Sequence, residues 1–282
     1  MKLKVGTYNI NFGQDNSVEG KPLNLENIAN VILENDLDLI TLNEVHVYAA
    51  SRKSAGRHTP FEVSKLANAG AKDGDTYAWA FAPGMDGSSP FGTVYSEENP
   101  GPGGFSAEGV GPAWNEATQS GYGNAILTKY PIKSVREVRV MAPGQTKQLE
   151  KINGYTFESR ALLIAELDVH GEALTVIATH FDLYTVAMKA AIAAIAEEMK
   201  SISSPILLMG DLNCSPEDAP IHMLQDLGFV LIGDETDTHD TGGRIDFIMY
   251  ANATATDETY YVLSDNKVSD HRPVIAAMTM QA

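Results

Sequence analysis

The chain has 282 residues, 44% of them hydrophobic and 20% charged, with a single cysteine and a formal net charge of −17. That length is enough to bury a substantial core, and one cysteine excludes both an internal disulfide and a multi-thiolate metal cluster. The acidic balance argues against gripping long duplex nucleic acid, whose phosphates call for a basic face, and no Lys or Arg occurs from Asp73 to Thr128.

No run of about 18 apolar residues is present, so no membrane span is expected. The opening Met1-Lys2-Leu3-Lys4 lacks an apolar leader. The chain therefore reads as soluble and cytoplasmic, with secretion open only if a leader has been removed. A metal would have to sit on oxygen and nitrogen ligands, which favours Mg²⁺, Mn²⁺ or Ca²⁺.

In chain order, Leu3 to Ile10 alternates and is rich in β-formers, predicting a strand that ends at Asn9-Ile10-Asn11. Leu25 to Glu34 places Ile28, Val31 and Ile32 at helical spacing, with Asn24 as N-cap. Leu37 to Leu42 reads as a buried strand ending at Asn43-Glu44, and Pro60 to Ala69 as a helix. Met85 to Gly123 is dominated by Gly, Pro, Ser and acidic residues, too long for an ordinary connection. It is read as an insertion loop at a substrate mouth, within one domain spanning 1–282. Trp114 and Tyr122 in it would anchor the loop or stack on a ring. Strands recur at Asn124 to Thr128, Ala161 to Leu167, Leu174 to Ala178, Ile206 to Met209, Ile245 to Tyr250 and Val274 to Met280. Helices are expected over Thr185 to Lys200 and Ala219 to Leu227.

Polar clusters stand at the strand ends, where loops on a rigid scaffold carry function. Taken singly each has a bland explanation. Asn9 could close a turn, Glu44 could be a solvated carboxylate, and Asp211 with Asn213 could form an Asx turn. His180 could be a satisfied strand-end histidine, and Asp270-His271 a surface pair. Asp246 between Ile245 and Phe247 is harder to dismiss, because an unpaired charge in a buried strand is costly. Arg160 raises the same difficulty.

Together the clusters follow one order: Thr7-Tyr8-Asn9, Leu42-Asn43-Glu44-Val45, Gly123-Asn124-Ala125-Ile126-Leu127-Thr128-Lys129-Tyr130-Pro131-Ile132, Ser159-Arg160-Ala161-Leu162, Ala178-Thr179-His180-Phe181-Asp182, Gly210-Asp211-Leu212-Asn213, Arg244-Ile245-Asp246-Phe247-Ile248 and Ser269-Asp270-His271-Arg272-Pro273-Val274. In this the chain resembles the endonuclease/exonuclease/phosphatase superfamily over nearly its whole length. The resemblance implies an α/β (α+β) four-layer α-β-β-α sandwich of two mainly antiparallel sheets flanked by helices. It implies a Mg²⁺-dependent phosphoesterase (Mn²⁺ or Ca²⁺ as alternatives) with Glu44, Asn9 and Asp270 at the metal. Asn213 and Arg160 would hold phosphoryl oxygens. His271, Asp246, Asp211 and His180 would be catalytic, with Asp246 orienting His271. Either His271 or Asp211 would serve as general base.

Two departures stand out. Asn43 replaces the more usual Gln before the metal glutamate, and the helix after Thr179-His180 lacks the Arg and Gln that family members of this length often carry. Neither removes a proposed ligand. Arg272 reads as structural and Cys214 as a packing residue. The sequons at Asn213 and Asn252 read as chance. The favoured substrate is a small-molecule or lipid-like phosphate ester. The alternative is a deoxyribonuclease-type nuclease, which the charge opposes. A non-enzymatic binding protein on the same fold is opposed by the intact set of site residues. Oligomeric state is not legible.

Overall fold

The computed structural model describes residues 1–47, 57–72, 74–86, 121–266 and 268–281. The N-terminal part supplies β1 (Lys2–Asn9), α1 (Leu25–Glu34), β2 (Leu39–Val47), α2 (Thr59–Gly70), β3 (Ala78–Asp86) and β4 (Gly121–Thr128). Next come β5 (Ile132–Val140), the small hairpin β6 (Leu149–Ile152) and β7 (Tyr155–Glu158), β8 (Arg160–Val169), β9 (Glu172–His180) and α3 (Thr185–Met199). Last are β10 (Ile206–Asp211), α4 (Ala219–Asp226), β11 (Val230–Leu231), β12 (Asp246–Ala251), β13 (Thr254–Val262) and β14 (Val274–Gln281).

Two six-stranded sheets form, in the orders β13-β14-β1-β2-β4-β3 and β11-β12-β10-β9-β8-β5. In each, every neighbouring pair is antiparallel except the central one, β1 with β2 and β10 with β9. The inner faces meet in a core that includes Val5, Leu39, Ile126, Leu163, Val176, Leu207, Ile248 and Val274. On the outer face of the first sheet, Ile28, Val31 and Ile32 of α1 and Val63 and Ala67 of α2 pack onto Ile40, Leu42, Trp79 and Leu127. On the second, Met188, Ile192 and Ile195 of α3 and Ile221 and Leu224 of α4 pack onto Ile164, Ile177, Leu208 and Phe247. This is the four-layer sandwich expected from the sequence. Burying each of these aliphatic side chains is worth roughly 1.5–3 kcal/mol.

Helix α1 begins and ends where its apolar spacing predicts, and the Asn24 side chain accepts the Asn27 N–H at 3.0 Å as its cap. The strands not foreseen are β3, β5, β11 and β13, together with the β6–β7 hairpin. The first four are the edges of their sheets. An edge strand is wetted along one side and lacks the apolar run of a central strand. Ile132–Val140 shows it plainly, with five of its nine residues exposed. Of the expected insertion at 85–123, Met85 lies in β3 and Tyr122 and Gly123 in β4, while 87–120 lie outside the described residues. Tyr122 is buried in strand β4 rather than set in a loop. Trp114 lies outside the described residues. Among the described residues no helix is long and apolar enough to cross a membrane.

Candidate active site

The central parallel pair of each sheet sends its carboxyl ends to the same edge of the sandwich, bringing Asn9 and Glu44 opposite His180 and Asp211. The antiparallel neighbours run the other way and bring their first residues to that edge, Asp246 opening β12 and His271 preceding β14. Arg160, the first residue of β8, joins them.

Local backbone devices aim these side chains. Glu44 lies in a β-bulge, where Leu42 pairs with Ala125 and Val45 with Gly123, and its φ is +57°. The extra residue turns the carboxylate into the cleft, a left-handed conformation that a non-glycine residue adopts at a cost. Gly210 has φ +148°, and a Cβ there would lie 1.8 Å from the Thr179 carbonyl oxygen. Its absence lets β10 approach β9 closely, setting Asp211 in register with His180. Ser269 ties the C-terminal motif to β1, its hydroxyl donating to the Asn9 carbonyl at 2.8 Å and accepting the His271 N–H at 3.1 Å.

Asp211 is the focus. Its Oδ2 accepts from Asn9 Nδ2 at 2.9 Å and lies 3.4 Å from His180 Nε2 and 3.7 Å from His271 Nε2. Its Oδ1 accepts the Asn213 N–H at 2.9 Å. Burial, reinforced by the Asp246 charge, pushes the Asp211 carboxyl up to about 7. His271 Nδ1 is 2.9 Å from Asp246 Oδ2. Burial works against a charge on this imidazole, but the Asp246 carboxylate, with Asp211 and Asp270 beyond it, outweighs that and raises it to about 10. The charged form donates from both nitrogens.

His180 behaves in the opposite way. A guanidinium can only donate, so the 3.2 Å contact from Arg160 Nη1 makes His180 Nδ1 an acceptor and leaves the proton on Nε2, facing Asp211. Burial, then the charges of Arg160 and His271, hold this imidazole well below the usual histidine range. Arg160 is buried, donates to the Tyr122 hydroxyl at 3.3 Å and pairs with Glu158 at 3.2 Å.

The expected site residues are thus gathered at one edge. Asn213 donates Nδ2 to the Phe181 carbonyl at 2.9 Å, which leaves its second N–H for a ligand. Asn9 presents Nδ2 to Asp211 and, at 3.3 Å, to Glu44, while its Oδ1 accepts the Asn11 N–H. Asn9 would have to turn its amide over to ligate a cation through Oδ1.

Two places suit a cation. Asp211, Asp246 and His271 offer ligand atoms within 4.8 Å of one another. There, however, Asp246 Oδ2 is already engaged with His271 Nδ1 and Asp211 Oδ2 with Asn9 Nδ2, each at 2.9 Å. Glu44 fits better: burial pushes its carboxyl above the usual range, and Asn9 is its hydrogen-bond donor. Among the described residues it has no ion-pair partner. Glu44 is half-buried at the cleft, and its carboxylate oxygens are the donors that hard divalent ions prefer.

A sequence profile of the Endonuclease/Exonuclease/phosphatase family matches residues 6–271. The chain belongs to that family. Its members are phosphoester hydrolases that depend on a divalent metal. Among solved structures, an endonuclease/exonuclease/phosphatase from Beutenbergia cavernae is 20% identical, with all of this chain and 72% of that one covered and a TM-score of 0.68. The Bacteroides thetaiotaomicron mannosyl-6-phosphatase is 14% identical over 98% of this chain and 99% of its own, with a TM-score of 0.64. The catalytic domain of human Nocturnin, bound to sulfate, is 15% identical over 99% and 94%, with a TM-score of 0.60. At such identities the likeness shows the fold. No curated protein matches.

Sequence reasoning missed the residues that hold this family site in place. Asn43 accepts the Asp211 N–H at 2.9 Å and donates to the Thr179 carbonyl and to Asn124 Oδ1, both at 2.8 Å. Asn124 donates to the Ala161 carbonyl at 2.8 Å. Two asparagines of the first sheet thereby lace three strands of the second. Thr238, buried in the loop before β12, donates to Asp246 Oδ2 at 2.7 Å.

Proposed function

We propose that the protein is a Mg²⁺-dependent hydrolase of a compact phosphoester, a small-molecule or lipid-like phosphate. The convergence of Asn9, His180 and His271 on Asp211 Oδ2 carries this reading: three donors meet at one oxygen, beside a carboxylate suited to a cation. A phosphoryl group entering the cleft brings oxygens to the same donors.

Glu44, with Asp270 and a turned Asn9, would hold the cation. Bound there, a cation would supply Lewis-acid stabilisation of the charge on a phosphoryl group. His271, kept charged by Asp246, donates from Nε2 to a phosphoryl oxygen and is thereby removed from the role of base. Asp211, with a carboxyl raised to about 7, orients the attacking water and accepts its proton. His180 donates from Nε2, fixed in that tautomer by Arg160. Asn213 and Arg160 stand behind the remaining oxygens. All of these donors are in place before charge develops, the condition for strong transition-state stabilisation.

The net charge of −17 supports a compact substrate. So does the Arg272 guanidinium beside the site, which pairs with Asp240 rather than standing ready to track a nucleic-acid backbone. Likeness to a mannosyl-6-phosphatase is in keeping with this. The test is a Mg²⁺-supplemented screen across sugar and nucleotide phosphates, phosphoinositides, sphingomyelin, single-stranded nucleic acid and plasmid. Turnover of a small or lipid phosphate is expected. Efficient plasmid nicking with no small-phosphate turnover would replace this reading with a nuclease.

A further inference from the structure

We propose that Thr238 is a positioning residue for the Asp246–His271 pair, its hydroxyl selecting the carboxylate oxygen that Asp246 presents to the imidazole. The proposal rests on the reading of His271 as catalytic, and it adds a member that the strand-end motifs do not contain.

Thr238 is fully buried in the loop between β11 and β12. Its Oγ1 accepts the backbone N–H of Ile245 at 3.0 Å and of Asp246 at 3.1 Å. A hydroxyl has two lone pairs and one proton. With both lone pairs taken by amides, the proton has one direction left, toward Asp246 Oδ2 at 2.7 Å. The rotor of an ordinary threonine is here a committed donor.

The consequence falls on Asp246. Oδ2 receives both the Thr238 hydroxyl and His271 Nδ1, while Oδ1 is buried with no hydrogen-bond partner among the described residues. A carboxylate bound by the imidazole alone could turn about Cβ–Cγ and offer either oxygen. Turning is now opposed by the loss of a buried charge-assisted bond. With Oδ2 fixed, the Nδ1 bond fixes the ring, and Nε2 is directed at the Asp211 edge of the cleft.

The same residue also grips the chain beyond His271. Its carbonyl accepts the Arg272 N–H at 2.7 Å, and its own N–H reaches the Gly243 carbonyl at 2.9 Å. The next residue, His239, packs edge-on against the His271 ring at 4.6 Å. Arg244 closes the loop at its base, stacked between Phe247 and Tyr260 and donating to the carbonyls of Ile232 and Asp234. The loop has little freedom to carry Thr238 away.

The test compares Thr238→Val, which keeps the branched shape, with Thr238→Ser, which keeps the hydroxyl. Thr238→Ala serves as a second hydroxyl-free variant should the valine protein not fold. In metal-free, ¹⁵N-histidine-labelled protein, the His271 Nδ1–H resonance should move or exchange away in the valine and alanine proteins and persist in the serine protein. With Mg²⁺ and bis-para-nitrophenyl phosphate, kcat should fall about 10–100-fold without the hydroxyl, the usual range for a partner that orients a site residue, with KM unchanged. Serine should restore it. On a His271→Ala background, Thr238→Val should cost nothing further. An unaltered His271 resonance in the hydroxyl-free proteins would overturn the proposal and leave the catalytic reading of His271 intact. Wild-type kcat in His271→Ala would overturn both.

Discussion

Replacing Asn43 by leucine removes a tie between the two sheets directly beneath the site. Three buried groups lose their partner: the Asp211 N–H, the Thr179 carbonyl and Asn124 Oδ1. Leaving a buried polar group unpaired costs about 1–3 kcal/mol, so the substitution should cost about 3–9 kcal/mol. That is a large share of a typical total of about 5–15 kcal/mol. For a chain of this size it corresponds to a fall in Tm of the order of 10 °C. Asn124→Leu should also destabilise, because it strands the Ala161 carbonyl and one Asn43 N–H. The double variant should cost less than the sum, since the Asn43–Asn124 bond is lost only once. Urea unfolding followed by circular dichroism measures all three. A single Asn43→Leu variant within about 0.5 kcal/mol of wild type would refute the reasoning, as would strict additivity in the pair. Activity should fall too, because Asp211 loses the contact that sets its backbone.

His271→Ala should lower phosphoesterase turnover by orders of magnitude with an unchanged circular dichroism spectrum, and unchanged turnover on a confirmed substrate would remove it from the mechanism. Glu44→Gln should weaken Mg²⁺ binding in calorimetry, and EDTA should abolish turnover in the wild-type protein; metal-independent turnover refutes the Glu44 site. His271 is raised to about 10 in the folded protein from an ordinary value of 6.5, so its contribution is complete below pH 6.5 and lost as pH rises toward 10. The EDTA-treated protein should therefore melt at lower temperature as pH increases across that window. Asp246→Asn should flatten the dependence by removing the charge that sustains the imidazolium, and a wild-type Tm indifferent to pH between 6.5 and 10 contradicts the assignment.

The central strands and the residues at their ends were legible in the sequence because both carry local signatures. A buried strand is a short apolar run, and the first polar residue after it, as at Asn9, His180 and Asp211, is where a sheet meets a cleft. Asp246 announced a partner simply by being a charge in such a run, and His271 is that partner at 2.9 Å. The edge strands escaped because burial on one side leaves them as polar as a loop. Asn43, Asn124 and Thr238 escaped for another reason. Their roles depend on carbonyls and amides of strands distant in sequence, and the spacing of an asparagine says nothing about which backbone it will meet. One signal was available: Asn43 stood out where a longer glutamine is usual, and the shorter amide here spans β4, β9 and β10 at once.

The symmetry of the two sheets explains why the site needs both ends of the chain. Each sheet places its single parallel pair at the centre, and only there do two neighbouring strands bring carboxyl ends to the same edge. One pair contributes Asn9 and Glu44, the other His180 and Asp211. Neither set alone would pair the proposed cation site with the proposed general base. The antiparallel neighbours β14 and β12 reach that edge with their amino ends, delivering His271 and Asp246 from strands that do not touch in either sheet. Asp246 and His271 therefore meet across the inter-sheet boundary, as Asn43 and Asp211 do. Any change that lets the sheets slide should loosen the dyad and the Asn9–Asp211 contact together. On the proposed mechanism, turnover is thereby tied to the packing of the sandwich rather than to any one loop.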